Sequence, residues 1–261
     1  MLARIITNVL RQDRLWSVLA LVVVSTIAWA YTIMGVGMNM SALMMTAMDS
    51  DMPMPPGVWD LAGSVLMFAM WWVMMIAMML PSATPMLLLY LRVADRHEPG
   101  QGQGNTAVFA MGYLLIWGLF SAAATGLHGL GEASGFINGM MASASAYLSA
   151  TLLLIAGLWQ LAPQKYKCLD ACRNPVEFLS RIWRPGPRGA LRAGILHGAF
   201  CVGCCWAMML LLFVGGVMNL YWIGGLALFV LAEKTLPFWH ITGRMTGVVA
   251  IISGVVVLMT P

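Results

Sequence analysis

The sequence predicts an all-α protein, a polytopic helical membrane bundle of about seven transmembrane helices with its amino terminus inside. Three observations predict it. The chain of 261 residues is 61% hydrophobic and 9% charged, whereas a soluble globular protein carries roughly 25% charged residues. Its apolar runs are about 20 residues long, the length a helix needs to cross a hydrocarbon layer roughly 30 Å thick. They are continuous, not the short alternating segments of a barrel.

The third observation is charge asymmetry. All 14 Lys and Arg fall in the amino-terminal tail (Arg4, Arg11, Arg14), at 92–98, at 164–192, or between Lys234 and Arg244. The loops near 38–57, 131–145 and 217–220 hold none. By the positive-inside rule the first set is cytoplasmic and the second faces outward, leaving the carboxyl terminus outside. The net charge of +4 follows from topology, so it implies membrane lipid as a partner and no nucleic acid.

The spans follow in order as 15–37, 58–80, 106–130, 146–162, 193–216, 220–233 and 245–260. The first follows an arginine-bearing tail but is too long for a signal-peptide core, and reads as a retained signal anchor. Pro81 and Pro85 are expected to interrupt the second span on its cytoplasmic side, freeing carbonyls to line a cavity. The sixth is the shortest. A Met-rich outer loop (38–57) and a basic cytoplasmic loop (164–192) complete a single integral membrane domain, 1–261.

Five cysteines fall into two groups. Cys168 and Cys172, in KYKCLDACRNP, share one face of a helical turn. A reducing cytoplasm argues against a standing disulfide there and for a metal or redox pair, beside the plainer reading of two ordinary thiols. The second group lies in HGAFCVGCCWAMM. At 100° per residue, taking His197 as zero, Cys201 falls at about +40°, Cys204 at −20°, Cys205 at +80° and Met208 at +20°. These five donors share an arc of about 100°. His197 and Met208 stand about 16 Å apart along the axis, too far to share one ion, so the stripe is a ladder of possible sites. The plain alternative is that buried Cys and Met act as small hydrophobes and gap fillers.

Methionine occurs 24 times, and two clusters account for most of the excess. The outer segment MNMSALMMTAMDSDMPMPP holds Met38, Met40, Met44, Met45, Met48, Met52 and Met54. Core filling explains poorly a short loop flanked by Asp49, Asp51 and prolines. Thioethers carry no proton to lose and form no disulfide, and soft thioether sites select Cu(I). An amphipathic interfacial helix is the alternative. In the second span Met67, Met74 and Met78 lie within about 40° of one another, with Trp71 on the same side. Met75 and Met79 line the neighbouring face. An outer methionine loop thus feeds a span carrying methionines inward.

Glu233 and Lys234 end the sixth span. A short span leaves them at the cytoplasmic boundary, where Lys snorkels; a longer one makes them an intramembrane functional pair. Asp60, His128 and Glu132 fall near outer span ends, where hydrated polar groups are ordinary. His97 and His240 are expected to be solvated.

Together WxxMMxAMMxP (Trp71–Pro81), KxxCxxxCRxP (Lys165–Pro175) and HGxxCxGCCWAMM through GxMNLxW (His197–Trp222), followed by Glu233-Lys234, cover roughly a third of the chain in order. This combination resembles the bacterial family of predicted metal-binding integral membrane proteins linked to copper-enzyme maturation. The resemblance implies metal binding, with copper as the metal, and an extracytoplasmic copper enzyme or another membrane subunit as partner.

Three functions are consistent with these residues. The first is Cu(I) handling at the inner membrane: outer methionines capture or release the ion, spans two and five form a relay, and Cys168 and Cys172 exchange it with cytoplasmic thiols. No P-loop or aspartyl-phosphate motif is present, so movement is downhill or otherwise coupled. The second is a thiol oxidoreductase using Cys201 with Cys204 or Cys205; the outer loops, however, contain no cysteine to meet a protein substrate. The third is a non-enzymatic subunit of a redox complex. The relay requires spans two and five to meet.

Overall fold

The computed structural model describes residues 2–36, 40–48 and 59–260. Met38, Met52, Met54, Asp49 and Asp51 lie outside the described residues. Within them the chain forms eleven helices and no β-strand: α1 (Leu2–Met34), α2 (Ala42–Ala47), α3 (Leu61–His97), α4 (Gly102–Ala133), α5 (Ala146–Leu161), α6 (Pro163–Arg173), α7 (Pro175–Ile182), α8 (Gly186–Leu210), α9 (Leu212–Gly215), α10 (Leu220–Thr235) and α11 (Trp239–Met259). Five stretches are long and apolar enough to cross a membrane: Leu15–Met34, Leu61–His97, Gly102–Ala133, Gly186–Gly215 and His240–Met259. α5 and α6 together form a sixth candidate, bent by 65° between Leu161 and Pro163.

α3 is the central helix, packed on α1, α4 and α10. Asp60 caps it, its carboxylate accepting the Gly63 N–H at 2.7 Å, which satisfies one of the orphan donors of a helix start. The expected interruption at Pro81 and Pro85 does not occur: both prolines lie inside one continuous helix. Proline removes one ladder bond but leaves the flanking turns intact. Here Ser82 and Thr84 hydroxyls donate to the Met79 and Leu80 carbonyls at 2.9 and 3.1 Å, and the packed neighbours hold the rest. The helix also outruns its apolar stretch by continuing to Arg96 and His97, because hydropathy marks a boundary in the solvent and not the end of backbone hydrogen bonding.

α4 lies against both α3 and α8. The α4–α8 contact is close because of glycine: a Cβ added at Gly194 would come 2.0 Å from the Phe109 carbonyl oxygen, and one at Gly112 2.6 Å from that of Leu191. Close van der Waals approach of this kind, made possible by small residues, packs apolar helices together. α11 packs on α5 at one side and exposes Ile241, Met245, Val248, Val249, Ile252 and Val256 on its other face.

One end of the bundle is closed by irregular segments. Ser143 N–H donates to the Phe213 carbonyl at 2.7 Å and Val217 N–H to that of Met141 at 3.1 Å. The Thr46 hydroxyl accepts the Leu220 N–H at 2.9 Å. These bonds pin residues 40–48, 134–145 and 211–220 together.

Candidate metal centre

α8 carries the ladder of donors, and all of it is buried: His197, Cys201, Cys204, Cys205 and Met208 are each at most 2% exposed. The Cys204 and Cys205 thiols both donate to the Cys201 carbonyl at 3.0 Å, the back-bonding geometry that a polar side chain adopts inside a helix.

Tertiary structure brings the other two cysteines to the same place. The bend at Pro163 turns α6 back along α8. Cys172 then packs, partly buried, against the core near Cys201 and Cys204. Cys168 Sγ sits against Gly203, where an added Cβ would meet it at 2.9 Å. The 168/172 pair thus flanks the α8 thiols from one side. The sequence hides this because the two groups are separated by the whole of α7.

A buried ion pair fixes α6 in that position. Lys165 and the Glu233 carboxylate bond directly, with side chains 0% and 3% exposed. Gln160 Nε2 donates to the same carboxylate at 3.1 Å, and Arg173 donates to the Glu233 carbonyl. Glu233 and Lys234 are thus buried even though α10 stops at Thr235, and the snorkelling alternative falls. They do not form a pair with each other either. Successive helical residues point about 100° apart, so Lys234 faces a different side and bonds Cys201 Sγ at 3.0 Å and Ser82 Oγ at 2.9 Å.

Tyr113 completes this surrounding, its hydroxyl 3.2 Å from Cys201 Sγ and 3.3 Å from the Met79 carbonyl. Ser82, Gln160 and Tyr113 gave no sequence signal as site residues, and Lys165 entered only as the first letter of the KxxCxxxCRxP motif. Each is a common residue whose role arises only where α3, α4, α5, α6 and α10 meet.

The methionine span and the cysteine span are joined at two levels. The Trp71 and Phe213 rings stand 5.2 Å apart, and Ser82 reaches Cys201 through Lys234. Met74, Met75, Met78 and Met79 belong to the same buried core as Cys201, Cys204, Cys205, Met208 and Met209. All four are buried. Met67 is partly buried against the same core. The outer segment divides: Met44 is 57% exposed, whereas Met45 is buried and Met48 partly so. Contrary to expectation, Met45 does fill the core. Ser41 caps α2 by accepting the Met44 N–H at 3.3 Å, and the resulting turn directs Met45 inward. Met140, absent from the sequence reasoning, and Met218, there only as a letter of GxMNLxW, are buried in the same closing segments.

Two histidines behave unlike expectation or ladder. His128 is 1% exposed, not hydrated, with Trp59, Trp71 and Phe213 edge-on around it. Trp71 N–H donates to its Nδ1 at 3.4 Å, which leaves the ring proton on Nε2 and no bare nitrogen for a metal. Nearby, Glu132 accepts from the Trp59 indole at 2.5 Å. His197 is enclosed by Phe109, Tyr113 and Phe178, and its Nδ1 has no hydrogen-bond partner.

Among the described residues no three His, Cys, Asp or Glu side chains are gathered to hold one ion. The arrangement is a nest of thiols that offers sulfurs in pairs, lined on one flank by thioethers. Such donors suit a soft monovalent ion over Mg(II), Ca(II) or Mn(II).

A family model described as copper chaperone (PpoB2) matches residues 68–257. The chain belongs to this copper chaperone family. The match runs from Phe68 in α3 to Val257 in α11, taking in all five cysteines and Lys234, and leaves Met44, Met45, Met48 and Met67 outside it. No curated protein and no solved structure matches the chain.

Proposed function

We propose that this copper chaperone works inside the bacterial inner membrane, binding Cu(I) at its buried thiols and passing it to the maturation of an extracytoplasmic copper enzyme. The observation that carries the reading is the packing of the α6 cysteines against the α8 cysteines, in a core that the α3 methionines share. In this reading the chain crosses the membrane seven times with its amino terminus in the cytoplasm, α5 and α10 being the two short crossings. The closing segments with Met44, Met45, Met48, Met140 and Met218 then face outward, and the α6 cysteines face the cytoplasm. Cu(I) is held by Cys201 with Cys172, Cys204 or Cys205. Met74, Met78, Met67 and Met208 offer weaker sulfurs along the way out, and His197 a nitrogen beside the thiols. Thioether ligands bind Cu(I) without releasing a proton, so an ion passes from them or to them readily.

The test is metal content of the detergent-purified chain by mass spectrometry after Cu(I) loading, with free thiols counted on the same sample. Bound copper with reduced cysteines is expected, and the double variant Cys201→Ser, Cys205→Ser should lose most of it while staying helical. Unchanged copper in that variant rejects the site.

The proximity of Cys172 to Cys201 and Cys204 also favours a second reading, a membrane thiol oxidoreductase. No metal after loading, together with an oxidised pair among these three, would establish that reading instead.

A further inference from the structure

Lys234 is buried, and its ammonium has two partners among the described residues, Cys201 Sγ at 3.0 Å and Ser82 Oγ at 2.9 Å. The adjacent carboxylate of Glu233 is engaged elsewhere, with Lys165 and Gln160. A buried ammonium requires a compensating negative charge close by. Serine supplies none, which leaves the Cys201 sulfur, as thiolate, to carry it.

We infer that Lys234 is the fixed counter-charge of the metal centre and sets its preference for monovalent over divalent thiophilic ions. The inference rests on the reading of Cys201 as a Cu(I) ligand. Before loading, one thiolate faces one ammonium and the centre is neutral. On loading, the cuprous ion bonds Cys201 and the sulfur of a second thiol, Cys172 or Cys204, whose proton leaves to water on the α6 side. Metal binding to thiols releases protons in this way. No electron is transferred. The bis-thiolate cuprous unit carries one negative charge and Lys234 one positive, so the loaded centre is again neutral.

A divalent ion on the same two sulfurs gives a neutral unit and leaves the ammonium uncompensated. A third thiolate would restore balance, but among the described residues no three Cys, His, Asp or Glu side chains are arranged to hold one ion. Lys234 therefore works against Zn(II), which thiols otherwise bind well.

The experiment is competition between Ag(I), as a stable monovalent probe, and Zn(II) for the full chain in detergent, read as the ratio of metals bound. Wild type, Lys234→Met, Lys234→Gln and Lys234→Arg are compared. Removing the charge should lower the monovalent preference by roughly a hundredfold, the factor expected when a buried charge loses its partner; Lys234→Arg should retain it. An unchanged ratio in the Met and Gln variants overturns the inference while leaving the proposed function standing. Failure of the wild type to bind Ag(I) at all overturns both. If the neutral variants do not fold, the wild-type ratio is set against that of a soluble two-cysteine peptide. A ratio about a hundredfold larger supports the inference, and an equal ratio rejects it.

Discussion

Lys165 and Glu233 form a buried ion pair across sixty-eight positions of sequence. Through it α6 is fastened to α10, and Cys172 is held beside Cys201. Breaking a buried pair by removing one partner strands the other charge, at a cost of about 3–5 kcal/mol. Glu233→Gln or Lys165→Met alone should therefore lower the detergent unfolding temperature markedly. The double variant, with no charge left to strand, should recover most of the loss. Equal instability of single and double variants would show that the pair is not what matters.

The same geometry predicts an alkylation pattern. Without metal, Cys172 and Cys168, which are partly exposed, should react with a small maleimide, whereas Cys201, Cys204 and Cys205, all buried, should react slowly. Ag(I) should protect Cys172 if it supplies the second sulfur. Peptide mass spectrometry reads each site, and labelling of Cys172 at the same rate with and without silver would remove it from the ligand set.

The α4–α8 contact predicts a sharp contrast between glycines. Gly194→Ala places a methyl group against the Phe109 carbonyl; such overpacking costs typically about 1–3 kcal/mol and should shift α8 with its thiols. Gly224→Ala on α10 meets nothing within 4 Å and should be neutral or slightly stabilising, since alanine favours the helix. Thermal unfolding of the two variants side by side checks this.

The methionines of the closing segments should matter for transfer more than for the core. The triple variant Met45→Leu, Met140→Leu, Met218→Leu conserves volume, and such swaps usually cost under about 1.5 kcal/mol each. It should keep the copper bound per chain at saturating Cu(I) and lower delivery at limiting copper, measured with isotopic copper in proteoliposomes. Undiminished delivery would make these residues purely structural.

The surroundings of Cys201 depend on residues that are ordinary in sequence, Lys234, Ser82 and Tyr113. Periodicity placed His197, Cys201, Cys204, Cys205 and Met208 on one stripe of α8, and that stripe is buried as a unit. It likewise placed Met74 and Met78 on a common face of α3. Local spacing determines such relations because a helix has a fixed angle per residue. Composition and apolar run length alone determined that the protein is helical, since long continuous apolar segments satisfy their backbone only within themselves.

Sequence left open whether Glu233 and Lys234 were solvated or buried, and read His128 as hydrated. It also expected Pro81 and Pro85 to break a helix that runs straight through them. Only the tertiary structure decided these points. A boundary residue is buried or not according to which helix folds back over it, here α6 over Glu233. The same packing sets Lys234 against Cys201 and brings the α6 cysteines to those of α8, and no local rule of angle or hydropathy carries that information across the sequence between them.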